Sequence, residues 1–138
     1  MKDKYFIDTN ILVYANDRSD TEKHEKAGQL ILKGMAQGNS AVSTQILSEF
    51  YVTVTRKIKN PLPAHVAKKE ILLFKNMEVV DVDFHCVIQA INISAGHHIS
   101  FWDALVIAAA QKAKCNVLYS EDLNPGQKIG SLIIINPF

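Results

Sequence analysis

The feature that most constrains the fold is an apolar run near the N-terminus that ends abruptly in polar residues. The run Tyr5-Phe6-Ile7 leads directly into Asp8-Thr9-Asn10, and the apolar segment 11–16 follows at once. A short run of this kind is typical of a buried parallel strand that leads into a helix. Open parallel sheets bind their ligands at the carboxyl ends of the strands. Asp8 is therefore predicted to lie where a functional site would form.

The rest of the chain alternates between helical and strand patterns. After a short helix at 11–16, a second helix capped by Ser19 or Asp20 is predicted to end near Gly38. The further predicted strands are 41–43, 77–82, 116–119 and 132–135. The further predicted helices are 44–57, one from Pro63 to about residue 76, one that is capped by Asp83 and runs to about residue 95, where Gly96 ends it, and one opened by Ser100. The helix after Asp83 is apolar on most sides and is expected to be well buried.

This alternation predicts an α/β fold. We expect a central, mostly parallel sheet of about five strands, flanked by helices on both faces, with right-handed crossovers and the short final strand at an edge. The 138 residues fit one domain, 1–138, and the 48% of apolar residues supply a core large enough to fold without staples. The net charge of +1 favours neither the presence nor the absence of a nucleic-acid partner.

The cysteines and the apolar segments indicate a cytoplasmic protein. Cys86 and Cys115 lie far apart and form no C-x-x-C pair, which argues against a disulfide framework or a zinc cluster and favours a reducing compartment. The first residues lack the long apolar region of a signal peptide. The apolar stretch 104–110 is far shorter than the roughly 20 residues of a membrane-spanning helix.

Four acids are predicted to meet at the carboxyl edge of the sheet. Asp8 ends the first strand, Glu49 lies in the helix after the second, Asp103 lies in the first turn of the helix opened by Ser100, and Asp122 follows the strand at 116–119. Four converging carboxylates repel one another unless a cation neutralises them, and oxygen ligands without a nearby His or thiolate favour Mg²⁺ or Mn²⁺. Such a cation can activate water and stabilise charge on a phosphoryl oxygen. The pattern therefore favours phosphodiester hydrolysis.

Each acid also has an ordinary structural explanation. Asp8, Thr9 or Asn10 can cap the short helix that follows, and Ser100 with Asp103 forms an S-x-x-D capping box. Glu49 can be a solvated helix residue, and Asp122 can favour a turn. Only the joint placement of the four acids at one edge favours the catalytic interpretation over these alternatives.

Four blocks of sequence occur in a fixed order along the chain. They are residues 6–15 (FIDTNILVYA), 43–49 (STQILSE), 100–105 (SFWDAL) and 118–123 (LYSEDL). With the closing Ile-Asn-Pro-Phe, they resemble the PIN domain family and, within it, the VapC-type toxins of bacterial toxin–antitoxin pairs. The resemblance covers the full chain, and no acid of the family pattern is missing.

The resemblance implies a Mg²⁺- or Mn²⁺-dependent ribonuclease. The acids that match the family's metal site are Asp8, Glu49, Asp103 and Asp122, with Asp8 and Asp103 the surest ligands. By this resemblance, metal-bound water attacks the phosphorus of an RNA strand in line and leaves a 5′-phosphate and a 3′-hydroxyl.

Further residues and partners follow from the same resemblance. Asn10 and Ser120 match polar positions that border the site and hold the acids or the attacking water. The family's hydroxyl-x-acid pattern falls on Ser120 and Asp122, which leaves Glu121 pointing away. Similar toxins are held inactive by a small antitoxin and commonly form homodimers, so both partners are expected here.

Other residues have two possible roles. A group of basic side chains can contact RNA phosphates, although a solvated face is the favoured interpretation: Arg56, Lys57, Lys59, Lys68 and Lys69. Phe101 and Trp102 can stack on a splayed base, but core packing is expected. The adjacent His97 and His98 cannot face one point on a helix or strand, and a loop after Gly96 is predicted there.

Two other functions are compatible with the sequence. One is a housekeeping PIN nuclease that matures RNA. The other is a non-catalytic module that binds RNA or protein on the same fold.

Overall fold

The structure, a computed structural model, describes residues 3–138, which form six strands and six helices. The strands are β1 Tyr5–Ile7, β2 Ser40–Ser43, β3 Glu78–Val80, β4 Val117–Tyr119, β5 Lys128–Ile129 and β6 Leu132–Ile135. The helices are α1 Thr9–Tyr14, α2 Thr21–Gln37, α3 Thr44–Arg56, α4 Ala64–Phe74, α5 Phe84–His97 and α6 Phe101–Lys112. The predicted α/β alternation is confirmed, with element boundaries that differ by no more than about two residues.

The strands form one sheet in the order β3-β2-β1-β4-β6-β5. Four of the five pairings are parallel, and β5 with β6 is the antiparallel one. From β1 the chain builds outward through β2 to β3, and then returns to place β4 on the other side of β1. The strand order therefore reverses between β1 and β4, where open α/β sheets form a crevice.

The far edge of the sheet differs from the sequence prediction. The final strand β6 was expected at an edge, but it lies between β4 and β5, and the sheet has six strands rather than five. The added strand β5 is only two residues long and turns back onto β6 at Gly130, whose φ is 61°. Two residues beside a turn carry too short an alternation to be recognised from sequence.

Both faces of the sheet are covered, as predicted. Phe6 and Ile7 are neighbours on β1 and point to opposite faces, yet both are fully buried. The most buried helix is α6, in which every residue from 104 to 110 is buried. Among the described residues, no helix has both the length and the apolar character needed to cross a membrane.

The prediction that α5 is well buried is wrong. Its buried residues are Cys86, Ala90 and Ile93, whereas Phe84, Ile88 and Ile91 are exposed. An apolar helix surface indicates that burial is favourable, but only tertiary packing decides which part of that surface is covered. Here α6 covers one side of α5.

Side-chain caps define most helix starts. Asp8, Asp20, Ser43, Asp83 and Ser100 each accept a hydrogen bond from a backbone N–H in the first turn of the helix that follows. Because Asp8 is itself the cap, α1 begins at Thr9, two residues before the predicted start.

The predicted end of α5 at Gly96 is wrong. The helix continues to His97, and His98, with φ 54° and ψ 41°, is the left-handed residue that ends it. The Ser94 hydroxyl donates a 2.6 Å hydrogen bond to the Ile99 carbonyl, which ties the chain beyond the helix back to its last turn. The adjacent histidines therefore form the helix terminus rather than a loop.

Gly34 allows α2 to lie close to the sheet. A Cβ atom at this position would be 2.7 Å from the Ser40 Cβ and 2.8 Å from its Oγ. The absence of a side chain is therefore what allows this approach of helix and strand.

Candidate active site

The candidate site lies where the strand order reverses. Asp8 follows β1 directly, while Ser120 and Asp122 follow the neighbouring strand β4. The backbone N–H of Asp8 donates to the Tyr119 carbonyl at 3.0 Å, which extends the pairing of the two strands to their ends. The topology thus delivers polar residues from distant parts of the chain to one crevice.

Asp8 is the most buried acid of the site, at 9% exposure. The Ser120 hydroxyl donates to its Oδ2 at 2.7 Å, and the Thr9 N–H donates to its Oδ1 at 2.8 Å. Burial raises the pKa of Asp8 to about 6, against the lowering effect of these two hydrogen bonds. The nearby charges of Asp122 and Glu49 contribute smaller parts of this increase. The carboxylate is therefore held in a place that disfavours its charge.

Ser120 organises the residues around Asp8. It is fully buried, and its Oγ accepts hydrogen bonds from the N–H groups of Asp122 and Leu123 at 3.2 and 3.3 Å. Across the crevice, the Asn10 amide donates to the Asp122 carboxylate at 3.0 Å. Ser120 and Asn10 each contact one of the predicted acids, so the polar positions that the sequence placed beside the acids do lie beside Asp8 and Asp122.

Glu49 and Asp103 approach from two helices. Glu49 lies on α3, and burial raises its pKa; the charge of Asp103 adds to this increase, while Gln45 and Lys57 act in the opposite direction. Asp103 lies in the first turn of α6, where its N–H donates to the Ser100 Oγ at 3.2 Å. Glu49 is electrostatically coupled to Asp8 and to Asp103, and Asp122 is coupled to Asp8. Each of the four acids in this negative cluster is thus coupled to at least one other.

The alternative structural roles of the acids are partly present. Asp8 does cap α1, so its capping role and its place in the cluster coexist. Asp103 makes only half of a capping box, because across residues 3–138 its carboxylate accepts no hydrogen bond from the Ser100 N–H. The carboxylate of Asp103 is therefore left available for another partner.

The residues fit a divalent cation in the chemistry of their donors. Within the described part of the chain, the buried Asn10 Oδ1 and Thr9 Oγ1 have no hydrogen-bond partner although they lie beside the acids. Unpaired buried oxygens next to mutually repelling carboxylates are suited to a hard cation or to its water ligands. No group of three acidic, His or Cys side chains in residues 3–138 is arranged to enclose an ion. The acids as arranged do not enclose an ion, so a Mg²⁺ bound among them would keep several of its waters.

Glu121, between the two site residues of its loop, takes part in a different set of contacts. Its carboxylate accepts a hydrogen bond from the Tyr14 hydroxyl at 2.5 Å and forms an ion pair with Lys23. Burial would raise the pKa of Glu121, but the hydrogen bonds from Lys23 and Tyr14 outweigh it and lower that pKa. Sequence reasoning missed Tyr14 and Lys23, because they lie 107 and 98 residues away from Glu121 and no local motif marks them.

The expectation of core packing is wrong for Trp102. Its side chain is 67% exposed, whereas Phe101 packs against the core. The Gln45 side chain donates to the Trp102 carbonyl at 3.3 Å and so links α3 to the start of α6. An aromatic surface is therefore exposed beside Asp103. The indole is exposed because α6 buries the side that carries Phe101 and leaves the adjacent position toward solvent.

One basic residue lies in the same region. Lys57, at the end of α3, lines a surface hollow of about 290 Å³ together with Glu49. Of the basic residues considered from the sequence, it is the one that the structure places in a hollow shared with a site acid.

Comparison with known proteins decides the family. A model of the PIN domain matches residues 5–127. The chain belongs to the PIN domain family. The family identified from the four sequence blocks is thus confirmed, and the sheet and six helices described above are those of a PIN domain.

Solved structures share this PIN fold along most of the chain. VapC20 of Mycobacterium tuberculosis, described as a toxin that cleaves the sarcin-ricin loop, matches with a TM-score of 0.66 and 21% identity over 86% of this chain and 90% of its own. A toxin–antitoxin complex from Klebsiella pneumoniae matches with a TM-score of 0.72 and 15% sequence identity over 98% of both chains. DNA-bound VapBC from Salmonella typhimurium matches with a TM-score of 0.70 and 15% sequence identity over 99% of this chain and 100% of its own. The comparison with curated proteins finds no match. At these identities, the likeness to the VapC structures is one of fold.

Proposed function

We propose that this PIN domain is a Mg²⁺- or Mn²⁺-dependent endoribonuclease and the toxin of a toxin–antitoxin pair. The observation that carries the proposal is the negative cluster around the buried Asp8, at the point where the strand order reverses. Membership of the PIN family supports a nuclease, and the solved structures that share the fold include a sarcin-ricin-loop-cleaving toxin and toxin–antitoxin complexes.

The residues that would hold the cation are Asp8, Glu49, Asp103 and Asp122. The chemistry that a divalent cation would supply there is activation of a water molecule and stabilisation of the charge on a phosphoryl oxygen, and the expected products would carry a 5′-phosphate and a 3′-hydroxyl. The protein's own contribution is orientation. Ser120 fixes one oxygen of Asp8, and Asn10 fixes one oxygen of Asp122.

RNA binding requires groups around the acids that contact bases and phosphates. The exposed Trp102 offers an indole face on which a splayed base can stack, next to Asp103. Lys57 lies in the hollow next to Glu49 and offers a cation for a phosphate of the same strand. These two residues would place the strand across the acid cluster.

An antitoxin and a second copy of the chain are the proposed protein partners, in the cytoplasm. Two exposed apolar surfaces are available to them. One is a groove of about 300 Å³ between α2 and α4, lined by Ile31, Leu32, Met35 and Leu73. The other is the exposed stripe of α5, formed by Phe84, Ile88 and Ile91. Exposed apolar patches of this kind mark interaction surfaces.

Two alternative functions remain open to experiment. A housekeeping PIN nuclease for RNA maturation would cleave RNA but would have no gene for a small antitoxin beside its own. A non-catalytic RNA- or protein-binding module would bind without cleaving. The burial of Asp8 beside other acids favours a catalytic site over a binding module, because acids perturbed in this way cluster at functional sites.

The roles of the acids can be tested with isosteric variants. We expect Asp8→Asn and Asp103→Asn to lose RNA cleavage by at least about 100-fold, because each removes the charge of a cation ligand. Glu78→Gln is the matched control, since it removes a carboxylate from the opposite end of the sheet, where Glu78 pairs with Lys4. Mapping the cleaved ends in a labelled RNA pool would identify the substrate. Undiminished cleavage by either Asp variant would refute the assignment.

A further inference from the structure

We propose that Glu121 is a positioning residue whose contacts with Lys23 and Tyr14 hold Ser120 and Asp122 in place. We call these three residues, Tyr14, Lys23 and Glu121, the Glu121 clamp. Its effect on cleavage rests on the function proposed above, whereas its effect on the loop can be measured without any activity.

The clamp residue lies between two residues of the site. Ser120 donates to Asp8 and Asp122 accepts from Asn10, so both of these side chains lie in the crevice. The Glu121 side chain instead contacts Lys23 and Tyr14. The three consecutive residues thus anchor the loop on two different sets of partners, and a shift of Glu121 would displace both neighbours.

The partners of Glu121 belong to regular elements. Lys23 lies in the first turn of α2, and Tyr14 is the last residue of α1. The Lys23 amine also lies 5.0 Å from the centre of the Tyr14 ring and 5.6 Å from that of Phe138, and the two rings pack edge to face at 5.3 Å. These contacts restrict the Lys23 side chain, because a cation above aromatic rings is held electrostatically. The loop is thereby tied to two helices and to the last residue of the chain.

The other contacts of this part of the loop are mainly local. The N–H groups of Asp122 and Leu123 both donate to the Ser120 Oγ, two and three residues away. The next long-range backbone bond after Ser120 in this loop is from the Gly126 N–H to the Ile134 carbonyl. Apart from the burial of the Leu123 side chain and the hydrogen bond from Asn10 to Asp122, the clamp is what connects residues 121–125 to the rest of the molecule.

The Glu121 clamp differs from the other ion pairs of the described chain. In the Lys4–Glu78 and Lys112–Asp83 pairs the acid is about half exposed, whereas the Glu121 side chain is 23% exposed. Glu121 accepts its second hydrogen bond from the Tyr14 hydroxyl, far away in the sequence, whereas Asp83 accepts its second one from the nearby Cys86 N–H. Exposed ion pairs contribute little to stability, but a carboxylate with two donors and little solvent contact defines a side-chain position.

Amide hydrogen exchange tests the clamp directly. We expect Glu121→Gln and Lys23→Met to speed the exchange of the Asp122 and Leu123 amides by about three- to tenfold relative to the wild type, as loss of a charge-assisted hydrogen bond implies. The amides of β1 and β2 should be unaffected. Lys23→Arg keeps the charge and should retain the exchange rates of the wild type.

Glu78→Gln is the control, because it breaks an ion pair far from the loop. Unchanged exchange at Asp122 and Leu123 in both clamp variants would overturn the proposal, as would equal acceleration in Glu78→Gln.

Cleavage kinetics separate this proposal from the proposed function. If the wild type cleaves RNA, the clamp variants should need several-fold more Mg²⁺ for half-maximal rate and show a lower kcat, with KM for RNA unchanged, because the clamp does not contact the substrate. A change in KM alone would contradict a positioning role. A wild type that does not cleave would refute the nuclease, while the exchange rates would still decide the clamp.

Discussion

Asp8 is held where its negative charge is disfavoured. Burial and the neighbouring acids raise its pKa to about 6, although Ser120 and Thr9 both donate to it. Selection for stability alone would favour an uncharged residue in such a place, whereas a site that binds a cation requires the charge. At the scale of single residues, this conflict between stability and charge is the feature that marks the site.

The raised pKa makes the stability of the metal-free protein depend on pH. The carboxyl of Asp8 titrates near 3.8 when unfolded and near 6 when folded, so the folded state keeps a proton that the unfolded state has released. The free energy of unfolding should therefore fall as pH rises through this range, by about 3 kcal/mol in total. Asp8→Asn removes this pH dependence. Between pH 4 and 7, urea unfolding in EDTA should therefore show that the free energy of unfolding of the wild type falls by about 2–3 kcal/mol relative to that of the variant.

Asp83→Asn provides a control of opposite sign. Hydrogen bonds from the Cys86 N–H and from Lys112 hold the pKa of Asp83 well below its usual range. The Asp83 carboxylate stabilises the fold above its unfolded pKa, and this contribution is lost as pH falls. The free energy of unfolding of the wild type should therefore increase relative to that of Asp83→Asn as pH rises. Parallel stability curves for the wild type and Asp8→Asn would contradict the environment described for Asp8.

Trp102 should contribute to substrate binding rather than to folding. Because it is largely exposed, Trp102→Ala should leave stability nearly unchanged but raise KM for RNA by about 5- to 100-fold, the range expected for loss of one stacked base. Since it is the single tryptophan of the chain, RNA added to the cleavage-deficient Asp103→Asn protein should quench the fluorescence.

Phe84→Ala is the matched control for Trp102. Phe84 is even more exposed than Trp102, but it lies away from the acids. It is the first residue of α5 and follows Asp83. Asp83 pairs with Lys112, at the end of α6 that is opposite to Asp103. Its removal should not change RNA binding. Equal effects of the two substitutions, or an unquenched indole, would argue that Trp102 has no contact with the substrate.

Most helices and strands were predicted from their capping residues and their apolar runs. Asp20, Asp83 and Ser100 were recognisable as helix caps because the capping interaction is local, whereas the cap Ser43 was assigned only to the strand before its helix. The short strand β5 was missed because it exists only through its pairing with β6. The exposure of α5 was also missed, since an apolar pattern does not show which neighbour will cover it.

The packing of α2 on the sheet depends on one glycine. Gly34→Ala would place a methyl group 2.7 Å from the Ser40 Cβ, so we expect a loss of about 1–3 kcal/mol in the free energy of unfolding from overpacking. Gly28→Ala on the same helix has nothing within 4 Å and should instead stabilise by about 0.5–1 kcal/mol through helix propensity. Urea titrations of the two variants would test this; a Gly34→Ala protein as stable as Gly28→Ala would contradict the close approach.

At the scale of the whole molecule, the strand order decides where the chemistry lies. The sequence predicted that Asp8 and Asp122 share one edge of a parallel sheet, and the adjacency of β1 and β4 brings them together. It could not show that Lys23 and Tyr14 hold Glu121, because such contacts depend on how α1 and α2 pack beside a loop about 100 residues later. Sequence patterns thus predicted the general location of the site, while its supporting contacts came only from the tertiary structure.

Cation binding should be visible as stabilisation of the whole domain. A ligand that binds only the folded state stabilises it by about 2.7 kcal/mol at 100 times its Kd. Mg²⁺ or Mn²⁺ should therefore raise the Tm of the wild type by several degrees. Asp8→Asn should show little of this increase, and Glu78→Gln should show all of it. An equal increase in all three proteins would indicate nonspecific binding.

The most direct test of the central claim is metal-dependent cleavage of RNA by the purified protein. A labelled total-RNA pool would be incubated with the wild type in EDTA and then with Mg²⁺ or Mn²⁺ restored, beside Asp103→Asn. We expect no cleavage in EDTA, cleavage when either cation returns, and no cleavage by Asp103→Asn under any condition. Cleavage that persists in EDTA, or that Asp103→Asn performs as well as the wild type, would contradict it.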